Sequence, residues 1–257
     1  MNIAVVYFSY GGDELLLRQA LRAIPHLRAY GDTVEVFLAD DAAAPLSEVP
    51  EGVHYLPTSF NRCGNLNGAE CICGMAQIYA HILKCGRFDW VIKTDCDTYI
   101  NNLHWLRNLK PSDCLFAGTA HAHDYPAGPC YAISAAGGGK VNELLQNSVW
   151  RGKAQRGYCE DRVFFHLFRH CGPVHVITPH LSEPTSGALY HDWGVGPVSS
   201  PPCHLANLLL PYAVDFKTCR WNSPPSTWQQ HAATALSRLT AYANLKDSLF
   251  LPSIYTT

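Results

Sequence analysis

The chain has 257 residues, 47% of them apolar and 16% charged, with a formal net charge of −2. That length suffices for one large α/β domain with a sizeable core, or two small ones, and the balance is that of a globular protein rather than a disordered one. No Lys/Arg run supplies an electrostatic footprint for nucleic acid or an anionic membrane, and no stretch of about 18 apolar residues reads as a transmembrane span.

In chain order, the β-branched run Ile3-Ala4-Val5-Val6-Tyr7-Phe8 predicts a buried strand over residues 3–9. No charged n-region or long apolar h-region precedes it, so a chain complete at Met1 is expected in the cytoplasm. Asp13 reads as the cap of an amphipathic helix with Leu16, Leu17, Ala20, Leu21 and Ile24 at helical spacing, ending before Pro25-His26. Thr33 to Leu38 predicts a second strand, closed by Asp40-Asp41, and Val53 to Leu56 a short third one. A loop rich in Asn, Gly and Cys spans Ser59 to Gly68. A helix follows over residues 70–84, with Gly86 where a helix stop is expected.

Trp90-Val91-Ile92-Lys93-Thr94-Asp95-Cys96-Asp97 is an apolar run ending in two carboxylates. On an extended backbone the i, i+2 spacing points both the same way, roughly 6–7 Å apart. Two such carboxylates repel unless a cation sits between them. A hard divalent ion with oxygen ligands is the natural occupant, with coordination sites left open for phosphate oxygens. In open α/β sheets ligands bind beyond the carboxyl ends of strands, where this pair is expected.

Further on, residues 114–118, 130–134 and 174–178 read as strands and 161–169 as a helix of the same domain. Gly137-Gly138-Gly139-Lys140 reads as a turn into a helix over 141–145, since neither the upstream Ser134 nor the following Val141 fits a phosphate-loop pattern. Residues 182–203 are loop-rich. A final helix starts near Ser226, where Ser226 and Gln229 fit a capping box after Pro224-Pro225. Its apolar seam of Trp228, Ala232, Ala235, Leu236, Leu239, Tyr242 and Ala243 is expected to pack on its own domain.

The alternation of strands and helices predicts a parallel, Rossmann-like α/β sheet. A single domain is expected, with a nucleotide-binding half over 1–100, an acceptor and catalytic half over 101–205, and a C-terminal helical extension over 206–257. The 11 cysteines are expected mostly reduced and packed as small hydrophobes. A structural zinc or disulfide among Cys63, Cys71, Cys73 and Cys85 is the alternative.

Three segments in order resemble one known family. Lys93-Thr94-Asp95-Cys96-Asp97-Thr98-Tyr99-Ile100-Asn101 is similar to the Lys-Thr-Asp-x-Asp-x-Phe-Val-Asn segment of β-1,3-galactosyltransferases and fringe-type glycosyltransferases. Tyr125-Pro126 through Tyr131-Ala132-Ile133-Ser134 resembles that family's Tyr-Pro…Gly-x-Gly-Tyr-Val-x-Ser stretch, and Glu160-Asp161-Arg162-Val163 its Glu-Asp-Val stretch. The resemblance covers about residues 90–165.

It implies a GT-A fold, that is, a Rossmann-like sandwich with a mostly parallel central sheet and helices on both faces. It implies also an inverting transfer of sugar from a nucleotide-sugar, usually a UDP-sugar, to a carbohydrate or glycoconjugate hydroxyl, with Mn²⁺ (or Mg²⁺) as cofactor. Asp97 with Asp95 would hold the metal, completed by a His from a later loop. His191 is the first candidate, with His180 and His204 behind it. Asp161, beside Glu160, matches the family's proposed base, a role typically worth about 10²–10⁴-fold in rate.

The nucleotide would lie over the ends of the first strands. Tyr7, Ser9 and Tyr10 are candidates for base or ribose contacts, Asp40 for uracil or ribose, and Arg62, Asn65 and Asn67 for phosphate near a helix N-terminus. Trp193 and Tyr125 are candidates for stacking on an acceptor sugar. The rival readings are a sugar nucleotidyltransferase, a non-catalytic nucleotide- or sugar-binding protein, and a Cys-rich zinc interaction protein.

Overall fold

A computed structural model describes residues 1–9, 14–29, 32–42, 45–58, 69–120, 126–147, 152, 160–177, 189–191, 213–216 and 228–254. The framework is a seven-stranded sheet. Its strands are β1 (Asn2–Ser9), β2 (Thr33–Asp41), β3 (Val53–Thr58), β4 (Trp90–Asp95), β6 (Phe116–Ala120), β7 (Pro126–Ser134) and β8 (Val174–Ile177), in the order β3-β2-β1-β4-β7-β6-β8. β7 runs antiparallel to both β4 and β6, and every other pair is parallel. Strands buried on both faces read as near-continuous apolar runs, which is why β1 is uninterrupted from Ile3 to Phe8.

Helices cover both faces. On one side α1 (Glu14–Ala20), α2 (Ala23–Arg28) and the C-terminal α7 (Trp228–Ile254) pack over Ile3, Val5, Tyr7, Trp90 and Ile92. On the other, α3 (Ala69–Lys84), α5 (Ala135–Leu145) and α6 (Glu160–Cys171) pack over Ala4, Val6, Phe8 and Val91. After β4 the chain turns into β5 (Thr98–Ile100) and the short α4 (His104–Arg107). β5 belongs to a second, three-stranded sheet with β10 (Ala213–Asp215) and β9 (Leu189–His191), in the order β5-β10-β9. No helix among the described residues is long and apolar enough to cross a membrane.

The structure departs from the local reading at two places. The helical path does not stop before Pro25. It breaks at Leu21-Arg22 and resumes as α2, with Pro25 in the first turn, where a missing N–H costs no intrahelical bond. The glycines at 137–139 are not a turn but the body of α5, whose N-terminus is capped by the Ser134 hydroxyl accepting the Gly137 N–H at 3.1 Å. Here glycine serves close approach. A Cβ on Gly137 would lie 2.5 Å from the Leu115 carbonyl oxygen, and one on Gly138 2.1 Å from Leu83 Cδ1. Gly86, by contrast, has φ +68° just past α3, the left-handed stop expected there.

The C-terminal helix is not peripheral. Ala235, Leu239, Tyr242 and Ala243 are buried in the same core as β1 and β4, and the Tyr242 hydroxyl lies 2.8 Å from Asn101 Oδ1. Asp247 ties the helix down between Arg22 Nε, at 3.1 Å, and His26 Nε2, at 2.8 Å. Cys73, Cys85, Cys96, Cys114, Cys130 and Cys171 are thiols, not joined in disulfides. Cys63 and the side chain of Cys71 lie outside the described residues.

Two outcomes follow for stability. Gly137→Ala gains about 1 kcal/mol of helix propensity but is expected to lose roughly 1–3 kcal/mol to overpacking against backbone, so its melting temperature falls. Gly139→Ala, which meets nothing within 4 Å, is expected to raise it by roughly 2–4 °C. A higher melt for Gly137→Ala would contradict the close packing of α5. Burial raises the proton affinity of Asp247, but hydrogen bonds from Arg22 and His26 outweigh it and hold the carboxyl below its ordinary value. The stability it lends is therefore present above pH 3.8 and lost as the pH falls through the lowered folded value. The wild-type advantage in melting temperature over Asp247→Asn is expected to be flat near neutrality and to shrink below about pH 4.

Candidate active site

Parallel pairing brings the C-terminal ends of β1, β2 and β4 to one edge. Asp95 lies opposite Phe8, and Ser9 opposite Asp40. Because β2 leaves β1 on one side and β4 adjoins it on the other, this edge is the topological switch point of the sheet, where open α/β sheets bind ligands.

β4 ends at Asp95, and Cys96-Asp97 form a turn into β5. The extended-strand premise that would set Asp95 and Asp97 on one face therefore does not hold. They are joined across a turn, pinned by the buried Cys96, whose thiol lies 3.5 Å from the Phe8 carbonyl, and by the Phe216 N–H donating to the Asp97 carbonyl at 2.8 Å. Asp95 and Asp97 are half-buried, in contrast to the closed strand leading up to them.

The residue that organises the site is Lys93, which the sequence reading left without a role. Its side chain is enclosed on a central strand, only 2% exposed. Its ammonium donates to Asp95 Oδ1 at 2.8 Å, and it lies 3.2 Å from Glu160 Oε1 on the first turn of α6. It stands 5.8 Å from the centroid of the Tyr131 ring. A charge this deep requires partners, and the two carboxylates described beside it come from two different motifs. A lysine inside the apolar run Trp90–Thr94 was the available signal, since a central strand leaves such a cation no route to water.

Asp161 is buried beside Glu160, and its Oδ1 accepts the Arg162 N–H at 2.7 Å. Both acids sit in the first turn of α6, where the helix dipole favours them. Beneath them the Tyr131 and Tyr79 hydroxyls are 2.9 Å apart. Burial, then Tyr79 and the carboxylates of Glu160 and Asp161, push the Tyr131 hydroxyl well above its ordinary pKa, so it stays neutral.

The expected nucleotide contacts at the first strands take a different form. Tyr7 is fully enclosed in the α1-side core, its hydroxyl 3.4 Å from the Ala20 carbonyl. Asp40 is equally enclosed. Its Oδ2 accepts the Leu46 N–H at 2.9 Å and the Tyr55 hydroxyl at 3.3 Å, while Oδ1 and the buried Ser9 Oγ have no hydrogen-bond partner among the described residues. Side chains alternate along a strand, so Tyr7, Ser9 and Asp40 face α1 whereas Lys93 and Asp95 face α6. All three side chains are buried at the strand ends rather than exposed on the edge.

His191 is brought close by the second sheet. Asp215 of β10 is in register with Thr98 on one side and with His191 on the other, which sets His191 two strands from the residue after Asp97. Among the described residues no three His, Cys, Asp or Glu side chains are grouped to hold a metal, and the His191 side chain is not among those described. Tyr10, Arg62, Asn65, Asn67, Tyr125, His180, Trp193 and His204 also lie outside the described residues.

No protein-family model matches the chain, and no curated protein matches it. Among solved structures it is similar to a glycosyltransferase involved in the glycosylation of the major capsid of PBCV-1. The identity is 11%, with 91% of this chain and 99% of that one covered, and the TM-score is 0.49.

Proposed function

We propose that the chain is a GT-A-type glycosyltransferase of the fringe and β-1,3-galactosyltransferase kind. In this reading it moves a sugar, with inversion, from a nucleotide-sugar, a UDP-sugar, to an acceptor hydroxyl. The observation that supports it best is Lys93, which ties the Asp-x-Asp strand end to the Glu160-Asp161 helix start at the switch point of the sheet. Two motifs far apart in sequence thus share one cation.

The donor set suits a hard divalent ion. Asp95 and Asp97 are half-buried carboxylates at the edge of a closed core, and Mg²⁺ or Mn²⁺ is commonly held by one or two carboxylates together with substrate phosphates. His191 is the third ligand in this proposal, and an imidazole would favour Mn²⁺. When bound there, the ion supplies Lewis-acid stabilisation of the charge that develops on the departing diphosphate.

The protein's own residues do the rest. The ends of β1, β2 and β4 form the floor under the nucleotide. Glu160, held by Lys93, fixes the first turn of α6. Asp161 on that turn takes the proton from the acceptor hydroxyl as its oxygen bonds to the anomeric carbon and the diphosphate leaves from the opposite face. Adjacent helical residues point about 100° apart, so one acid serves as anchor and the other as base.

UDP release from a panel of UDP-sugars tests this. Asp97→Asn is expected to abolish release with a nearly unchanged thermal melt, and Asp161→Asn to lower it by about 10²–10⁴-fold while UDP and Mn²⁺ binding persist. Full turnover in either variant would refute the role assigned to that residue.

A further inference from the structure

We infer that Lys93 sets the charge of the candidate metal site so that a divalent cation is captured together with a diphosphate rather than ahead of it. This rests on the reading that Asp95 and Asp97 hold the ion. Lys93 Nζ lies 2.8 Å from Asp95 Oδ1, inside hydrogen-bond distance, and 3.2 Å from Glu160 Oε1. Water screens such an enclosed ammonium weakly. A cation approaching Asp95 alone therefore meets a carboxylate already engaged by a positive charge. A diphosphate arriving with it supplies the missing negative charge and oxygen ligands, so the two bind as a unit.

Glu160 tempers this effect. It shares the ammonium with Asp95, and without it more of the interaction would fall on Asp95. Lys93 and Glu160 therefore act on cation affinity with opposite sign, although neither is a ligand. Lys93 is a positioning and charge-setting residue, supported from below by the Tyr131 ring and its Tyr79 hydroxyl partner.

The test is Mn²⁺ binding to the full chain by electron paramagnetic resonance, without and with UDP, alongside thermal melts. Lys93→Met is expected to bind Mn²⁺ alone at least roughly fivefold more tightly than wild type, and the enhancement of Mn²⁺ affinity by UDP is expected to shrink by a similar factor. Glu160→Gln is expected to bind Mn²⁺ alone more weakly. A folded Lys93→Met that binds Mn²⁺ no more tightly, or a Glu160→Gln that binds it more tightly, overturns the inference. If Lys93→Met fails to fold, the sign in Glu160→Gln decides. A wild type that binds no Mn²⁺ even with UDP removes the metal-site reading and this inference together, whereas a wild type that binds it with the variant signs reversed removes the inference alone.

Discussion

A lysine ammonium enclosed on a central strand is cut off from water, and carboxylates from two separate elements meet its charge. Lys93 lies on β4 with β1 on one side and β7 on the other. Its charge is met by Asp95 at the end of its own strand and by Glu160 at the start of α6. A buried charge left without a partner is strongly destabilising, so the helix start and the strand end are held as one unit. The aromatic floor of Tyr131, Tyr79 and Phe164 closes the space beneath them, with Phe164 in edge contact with Tyr79.

The sheet topology gives that unit its location. β1 is the pivot from which β2 and β4 diverge, and the register ends both neighbours beside Phe8 and Ser9. A second, smaller sheet then folds the distant strand β9 back alongside β5, which brings the His191 backbone near the turn that carries Asp97. The C-terminal helix contributes to the core on the opposite face through Leu239 and Tyr242 and is held by Asp247. The two faces thus divide the labour: one is structural, and the other carries the carboxylates.

Much of this was legible in the sequence because the parallel strands are buried on both faces and announce themselves as β-branched runs. β1, β2 and β4, the helix stop at Gly86, and the acids opening α6 could all be read locally. What could not be read depends on tertiary approach. The glycines at 137–139 look like a turn until Leu115 and Leu83 are seen to require their lack of side chains. Pro25 looks like a terminator unless a new helix begins two residues before it. Asp95 and Asp97 fit an extended alternation that the turn at Cys96 interrupts. Tyr7, Ser9 and Asp40 stand at strand ends where a ligand would lie, but parity turns them toward α1, where all three are buried. The partnership of Lys93 with Glu160 joins residues on different elements, and no periodicity reports it.

The proposed function makes the switch-point edge a metal-dependent site for a uridine nucleotide. Calorimetric titration of UDP with Mn²⁺ present, repeated with the metal chelated and with GDP as control, tests it most directly. Binding of UDP that depends on Mn²⁺ and exceeds that of GDP is expected. Binding of neither nucleotide, or UDP binding unchanged by chelation, would contradict it.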